Sequence, residues 1–121
     1  MFTLSVETEF KASHSMALPD GTREPAHEHF WGVIAEVSTD KLTGGGVVMN
    51  FAQLKSELIA ITSTLNETTL DDIEYFQKSG SSAENVAKYI SDRLEPKLPA
   101  GVEMLAVTVS EQVGCSAKYL K

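Results

Sequence analysis

The stretch HEHFWGVIAEVST, residues 27–39, alternates between two sets of side chains with a period of two. This is the period of a β-strand, in which successive side chains point to opposite faces of a sheet. The set that would face a core consists of His27, His29, Trp31, Val33, Ala35 and Val37. The stretch therefore predicts a long strand with one buried face, and the rest of the fold is interpreted around it.

The preceding stretch, residues 3–14 (TLSVETEFKASH), has the same period. Its core-facing set consists of Leu4, Val6, Phe10, Ala12 and His14. Between the two stretches, residues 15–25 contain Pro19-Asp20-Gly21, a combination that is typical of turns. We therefore expect two consecutive strands joined by a loop.

A first helix is predicted over residues 51–65. Asn50 is a favourable N-cap residue with Gln53 three positions later, and Leu54, Leu58, Ile61 and Leu65 follow at helical spacing. The glycines at 44–46 lack the Lys-Ser/Thr that follows in a phosphate-binding loop, so they predict a flexible turn.

A second helix is predicted to begin at the capping box Ser81–Glu84 and to end at Pro96. The polar stretch between the helices, residues 66–80, predicts irregular structure with a short helical turn around 70–76. Residues 102–111 alternate again and predict a strand with one shared face, formed by Leu105, Val107, Val109 and Glu111. A short strand over 117–119 closes the chain.

The order of elements is two strands, two helices and two strands, ββααββ, which predicts an α+β fold with an antiparallel sheet. The 121 residues are enough for one modest core, so we expect a single domain over residues 1–121. Cys115 is the only cysteine, has no partner for a disulfide and is expected to pack near the C-terminus.

Composition argues against two classes of partner. The net charge of −7 opposes binding to nucleic acid. No apolar run approaches the roughly 20 residues that span a bilayer, and the N-terminal MFTLSVETEF lacks the pattern of a signal peptide. We therefore expect a cytoplasmic protein that binds neither nucleic acid nor membrane.

The three histidines suggest a metal site. His27 and His29 point to one face of their strand, about 7 Å apart along the chain, and His14 ends the preceding strand on its own core-facing side. Three neutral imidazoles leave one position of a tetrahedral zinc ion open, as in catalytic sites. His-x-His also occurs by chance at a polar strand end, so the spacing leaves both interpretations open.

Five motifs in order resemble the 6-pyruvoyl-tetrahydropterin synthase / 6-carboxytetrahydropterin synthase family from Phe10 to Tyr119. They are FKASH (10–14), HEHFW (27–31), GVVMNF (46–51), SSAENVAKYI (81–90) and SEQVGCSAKY (110–119). The resemblance implies the tunnelling fold, in which three subunits close a twelve-stranded barrel and two barrels stack as a homohexamer with active sites at the subunit interfaces.

The resemblance also implies the chemistry of the site. It assigns zinc to His14, His27 and His29, and it assigns the anchoring of a pterin ring to Glu111. Backbone groups of Ser82 or Ala83 would line the ring pocket. A carboxylate suits the anchoring role because it accepts two hydrogen bonds from the guanidine-like edge of a pterin.

The chain departs from the family at the proton-transfer residues. Arg23 stands where most members have a cysteine, and Asn66 and Glu67 stand where they have an Asp-His pair. Glu24, three residues before His27, resembles a branch in which glutamate replaces the cysteine. Members of that branch cleave 7,8-dihydroneopterin triphosphate to 6-hydroxymethyl-7,8-dihydropterin for folate synthesis. Glu67 is a second candidate for part of the missing histidine's task.

Three functions stay open at this point. The first is a zinc-dependent lyase of the Glu-x-x-His type with Glu24 as proton carrier. The second uses the same substrate but is a 6-pyruvoyl- or 6-carboxy-tetrahydropterin synthase. Either enzyme would be a carbon-oxygen or carbon-carbon lyase of the family, in folate or queuosine biosynthesis. The third is a pterin-binding homologue with impaired catalysis. Glu28 is expected on the opposite side of its strand from the histidines.

Overall fold

The two long strands predicted from the alternation form the centre of the sheet. In the computed structural model, which describes residues 1–121, strand β1 covers Phe2–His14 and strand β2 covers His27–Thr39. They pair antiparallel over their whole length, from Phe2 opposite Thr39 to His14 opposite His27. The histidines of both strands therefore lie at the same end of the sheet.

Three further strands extend this pair. Strand β3 is only Thr68–Thr69, β4 covers Glu103–Gln112 and β5 covers Cys115–Leu120. The sheet order is β3-β1-β2-β4-β5, and every pairing is antiparallel except the short parallel contact of β3 with β1. The predicted α+β fold with an antiparallel sheet is confirmed, and β3 was not predicted.

The first helix, α1, covers Phe51–Thr62 and begins where the sequence predicts. The Asn50 side chain accepts a hydrogen bond from the Gln53 amide at 3.2 Å. The helix ends three residues earlier than predicted, because the hydroxyls of Thr62, Ser63 and Thr64 each bond to the carbonyl three residues before them. Such local bonds compete with helix propagation.

The stretch between the helices is more ordered than predicted. After β3 comes a 3-10 turn at Leu70–Asp72, and then a short helix, α2, at Glu74–Ser79. The buried side chains of Leu70 and Phe76 hold this stretch against the core. Burial of these two residues explains why a polar stretch is folded.

The last helix, α3, covers Ala83–Leu94, and Pro96 lies in the 3-10 turn that follows it. The predicted capping box is displaced by one residue. Ser82 is the N-cap and accepts from the Asn85 amide at 3.1 Å, whereas Ser81 is buried and has other partners.

Two predictions for the C-terminal strands need correction. In β4, a register shift opposite Glu36 and Val37 leaves Leu105 as an extra residue, so Met104 joins the hydrophobic core in its place. Cys115 was expected to be packed but is exposed, because it begins the edge strand β5 directly after the turn.

The helices cover one face of the sheet, and the core lies between the helices and that face. Trp31, Val33, Ala35 and Val37 of β2 are buried in it, as their alternation predicts. The other face carries polar residues and a few exposed apolar ones, including Phe30. No helix has the length and apolar character needed to cross a lipid bilayer.

Candidate functional site

The three histidines meet at the end of the sheet where β1 ends and β2 begins. The register places His14 opposite His27, and His29 follows on the same face. The Nε2 atoms of His14 and His27 are 2.9 Å apart, and the ring centres of His27 and His29 are 4.4 Å apart. The structure thus brings together all three residues that the sequence proposes as metal ligands.

The core supports this cluster from below. The His14 ring is buried and meets the indole of Trp31 edge-on, with ring centres 4.8 Å apart. The indole nitrogen of Trp31 donates to the Ala12 carbonyl at 3.1 Å, which fixes the indole. The alternation that buries Trp31 therefore also fixes the plane on which His14 rests.

Backbone carbonyls orient two of the imidazoles. The Nδ1 atom of His14 donates to the Ser81 carbonyl at 2.8 Å, and that of His27 donates to the Pro25 carbonyl at 3.1 Å. A carbonyl only accepts, so the proton of a neutral ring lies on Nδ1 and the lone pair lies on Nε2. Both lone pairs then point into the centre of the cluster.

Glu111 completes the cluster. Its Oε1 atom lies 2.6 Å from Nε2 of His14, 3.4 Å from that of His27 and 3.2 Å from that of His29. Glu111 also lies at a register shift between β4 and β5, where Ser110 and Gln112 are paired but Glu111 is not. Such a bulge redirects a side chain. The resemblance proposes a pterin anchor here, and the structure adds contact with all three imidazoles.

Burial and neighbouring charges shift the pKa values of three groups in the cluster, and the net direction differs between them. Burial lowers the pKa of His27, but the bond to Pro25 and the carboxylates of Glu111 and Glu24 outweigh it, so the net pKa is raised. Burial and the neighbouring His27 lower the pKa of His29. Burial raises the pKa of Glu111, but the histidines outweigh it, so the net pKa is lowered and the group is ionised at neutral pH.

The donor set fits a cation such as zinc. One donor atom from each of His14, His27, His29 and Glu111 lies within 4.8 Å of the others. Ligands about 2.0 Å from a tetrahedral ion are separated by roughly 3.3 Å, close to the distances found here. The His29 Nε2 atom is buried and lacks a well-oriented hydrogen-bond partner, although Glu111 is near it. A bound cation would satisfy this nitrogen.

Glu24 lies beside the cluster, on the loop before β2. Its Oε1 atom is 3.8 Å from Nδ1 of His27 and accepts from the Met16 amide at 3.1 Å. The Ser15 hydroxyl donates to the Glu24 carbonyl at 2.5 Å, which holds the backbone of the loop. The structure therefore places the proposed proton carrier next to a proposed metal ligand.

The other proposed residues lie further from the histidines. Ser82 caps α3, and Ala83 begins it, but neither bonds to the cluster; the adjacent Ser81 does. Glu67 is exposed, has a φ of 58° and makes no hydrogen bond or ion pair with the cluster. Its own amide donates to the Lys11 carbonyl at 2.5 Å.

Two departures from the family pattern have structural roles here. The Asn66 side chain accepts from the Lys11 amide at 2.9 Å, so it pairs with the edge of β1. Arg23 donates to the Ser15 carbonyl at 2.6 Å and to Asp71 at 3.1 Å. Glu28 contacts Lys11 at 3.9 Å on the face away from the histidines, as predicted.

Sequence reasoning missed three features of the site. These are the contact of Glu111 with the imidazoles, the Ser81 carbonyl and the carboxylate of Asp71. Ser81 and Asp71 are separated from His14 by 67 and 57 positions respectively, and neither belongs to a periodic stretch. The sole signal was the position of Ser81 directly before a predicted helix.

Comparisons with known proteins agree with this fold. The chain matches the family described as 6-pyruvoyl tetrahydropterin synthase over residues 3–121. Human 6-pyruvoyl tetrahydrobiopterin synthase is 38% identical over 101 residues, which are 82% of this chain and 66% of the human protein. A putative synthase from Caenorhabditis elegans is 30% identical over 86 residues, 70% of this chain and 60% of that protein. The matched regions are thus less than two thirds of the length of either relative.

Solved structures with lower sequence identity share the fold. The C. elegans 6-pyruvoyl tetrahydropterin synthase superposes with a TM-score of 0.81 at 22% identity, covering 99% of this chain and 95% of that one. A Plasmodium vivax synthase, described as a mutant in which a catalytic glutamate is replaced by alanine, gives 0.77 at 21% identity, with 99% and 97% covered. The match over residues 3–121 shows that the chain belongs to the 6-pyruvoyl tetrahydropterin synthase family.

Proposed function

We propose that this protein is a zinc-dependent lyase that cleaves the side chain of 7,8-dihydroneopterin triphosphate to give 6-hydroxymethyl-7,8-dihydropterin. The observation that carries the proposal is the carboxylate of Glu24, 3.8 Å from the ring of His27 in a cluster without a thiol. The only cysteine, Cys115, is exposed and contacts Gln112. Glu24 is therefore the proton carrier that we assign in place of a cysteine.

In this proposal His14, His27 and His29 hold the zinc ion, with Nε2 of each ring as ligand. When bound, zinc polarises the hydroxyl groups of the substrate side chain and lowers their pKa. Glu24 takes the proton of the hydroxyl on the carbon that lies farther from the ring in the bond that breaks. That carbon leaves as the aldehyde of the released fragment. Glu24 then returns a proton to the carbon that stays on the ring, so the carboxylate is regenerated.

Glu111 is proposed as the pterin anchor, with backbone groups of Ser82 and Ala83 beside the ring. Its lowered pKa supports this role, because an ionised carboxylate accepts both hydrogen bonds from the ring edge. The same carboxylate contacts the imidazoles in the structure. We infer that it leaves them when substrate and zinc are both bound.

The P. vivax structure supports a glutamate in the proton-carrying role. That protein has the same fold, and its replaced glutamate is described as a catalytic residue. A glutamate is therefore described as a catalytic residue in at least one protein with this architecture. We extend the assignment to Glu24 because it is the acid beside His27 that is not itself a candidate ligand.

A pterin-binding homologue with impaired catalysis is the second candidate. The observation that favours it is the absence of a relay within the chain, since Asn66 bonds to the β1 backbone and Glu67 is exposed away from the cluster. A 6-pyruvoyl- or 6-carboxy-tetrahydropterin synthase is a third alternative. The absence of the family cysteine at Arg23 and of the Asp-His pair at Asn66 and Glu67 weighs against it.

We also propose that the protein forms a homohexamer of two stacked trimers, with sites at the subunit interfaces. Two observations support it. Most of β1 has no partner on its outer side, since β3 pairs only with Ala12 and Ser13, and β5 is the other open edge. The uncovered face carries exposed Phe30 and Leu120, which assembly would bury. Exposed Glu67 would then be near a neighbouring subunit.

Zinc binding is expected at one ion per chain, measured by elemental analysis after dialysis. Replacing His29 by alanine removes a direct ligand and should weaken binding at least about 100-fold, because even outer-shell changes cost 10–100-fold. Glu28→Gln, on the opposite side of the same strand, should bind as the original protein does. Equal zinc affinity in the His29→Ala protein would exclude this site.

Zinc affinity is expected to fall as the pH is lowered. A proton on a ligand competes with the metal, so each protonated histidine adds a slope of about one decade per pH unit. The pKa of His27 is raised above its ordinary value of 6.5 and that of His29 is lowered, so His27 should be protonated first. A chelator-competition titration from pH 8 to pH 5 should therefore be shallow at first, reach a slope near one as His27 becomes protonated, and steepen further at lower pH. A flat profile would contradict the assigned ligands.

The zinc-loaded protein should convert 7,8-dihydroneopterin triphosphate to 6-hydroxymethyl-7,8-dihydropterin, identified by chromatography and mass spectrometry. Glu24→Gln should lower kcat roughly 100-fold or more, the usual loss of a general acid-base group, while keeping its zinc. Glu28→Gln again serves as the control. A pyruvoyl or carboxy product would support the synthase alternative, and tight pterin binding without product would support the impaired homologue.

The assembly is expected to have six times the mass of the chain in native mass spectrometry. Leu120 ends the open edge strand β5, where Lys118 and Lys121 already supply positive charge on either side of it. Replacing Leu120 by lysine adds a third charge to a surface that assembly would bury. The variant should therefore form assemblies of fewer than six chains. Phe51→Lys, an exposed residue on the helix side, is the matched control. A monomer at micromolar concentration would refute the hexamer.

A further inference from the structure

Asp71 joins three separate segments of the chain around the histidine cluster. Its Oδ2 atom accepts from the Ser15 amide at 2.7 Å. Its Oδ1 atom accepts from the Ser81 hydroxyl at 2.8 Å and from the Arg23 guanidinium at 3.1 Å. These partners lie just after β1, near the end of the loop and just before α3. None of the functions assigned so far uses this carboxylate.

One of these bonds leads directly to His14. Ser81 donates its hydroxyl to Asp71 and accepts the Nδ1 proton of His14 on its own carbonyl, at 2.8 Å. Both Ser81 and His14 are only 1% exposed, so water does not replace either bond. A fixed Ser81 side chain therefore fixes the carbonyl that determines which nitrogen of His14 carries the proton.

A second set of bonds leads to Glu24. The Ser15 amide donates to Asp71, its carbonyl accepts from Arg23, and its hydroxyl donates to the Glu24 carbonyl. The loop that holds Glu24 beside His27 is therefore held at its first residue by Asp71. The Arg23 side chain is 54% exposed, so its ion pair is screened by solvent, and the amide and hydroxyl bonds contribute more to the hold.

We propose that Asp71 is a positioning residue of the proposed metal site. It fixes Ser81 so that His14 keeps its proton on Nδ1 and presents Nε2 as a ligand, and it fixes Ser15 so that Glu24 stays beside His27. Outer-shell groups of this kind orient metal ligands and affect metal affinity although they never touch the ion. The proposal deepens the proposed function and rests on it only for the metal-binding readout.

The direct test is the position of the His14 ring proton in the metal-free protein, read from long-range ¹H–¹⁵N spectra at alkaline pH. The original protein should show His14 protonated on Nδ1. Asp71→Ala and Ser81→Ala should both give a mixture of tautomers, since each removes the bond between the two residues. His27 provides an internal reference in the Ser81→Ala spectrum, because the Pro25 carbonyl holds its Nδ1 proton.

Asp72→Asn is the matched control, because Asp72 is the neighbouring acid and is exposed with no side-chain bond to the site. It should leave the tautomer unchanged. Asp71→Asn keeps an acceptor for Ser15 and guards against loss of folding in the alanine variant. It should retain most of the His14 signal while losing the Arg23 ion pair.

Zinc affinity gives a second readout. Asp71→Ala and Ser81→Ala should each weaken zinc binding about 10–100-fold, the usual effect of an outer-shell partner. Asp71→Ala that keeps the pure Nδ1 tautomer and the original zinc affinity would overturn the proposal. If the original protein binds no zinc, the proposed function fails, and the tautomer alone still decides whether Asp71 positions His14.

Discussion

The register of β1 against β2 is the constraint on which the site depends. His14 and His27 are paired residues at the end of a ladder of thirteen antiparallel pairs, and His29 lies two positions further on the same face. A slip of one residue would turn every side chain of one strand to the other face of the sheet. It would expose Trp31 and separate the imidazoles, so the energy that holds the core also holds the cluster.

The fold was predictable where a local sequence pattern is uninterrupted. Alternation predicts both long strands and the shared face of the histidines, and the cap residue Asn50 predicts the start of α1. The rest depends on contacts between residues that no local pattern reveals. Hydroxyl bonds end α1 early, a bulge at Leu105 shifts the face of β4, and burial of Phe76 orders a polar stretch. In the site, the contacts of Ser81 and Glu111 with His14 join residues 67 and 97 positions away.

The charge of the cluster explains why the same groups suit both a proton and a metal ion. An ionised Glu111 faces three imidazoles, and the neutral rings of His14 and His27 point lone pairs inward, so this arrangement attracts positive charge to its centre. The Pro25 carbonyl, together with the carboxylates of Glu111 and Glu24, raises the pKa of His27. A bound divalent ion would supply positive charge there and give His29 the partner that it lacks. Metal binding on these residues would therefore be an exchange of protons for a cation.

The residues that are absent from the site limit the chemistry that we assign to it. A reaction that moves protons between several carbons needs several groups in contact, and within this chain Asn66 and Glu67 do not reach the histidines. Cleavage of one carbon-carbon bond needs less, because the proton taken from a hydroxyl and the proton returned to carbon can pass through one carboxylate. The loop bonds of Ser15 and Met16 hold Glu24, the carboxylate that we propose for that task, in its place beside His27. The site that the chain retains therefore matches cleavage better than it matches a reaction that depends on a relay.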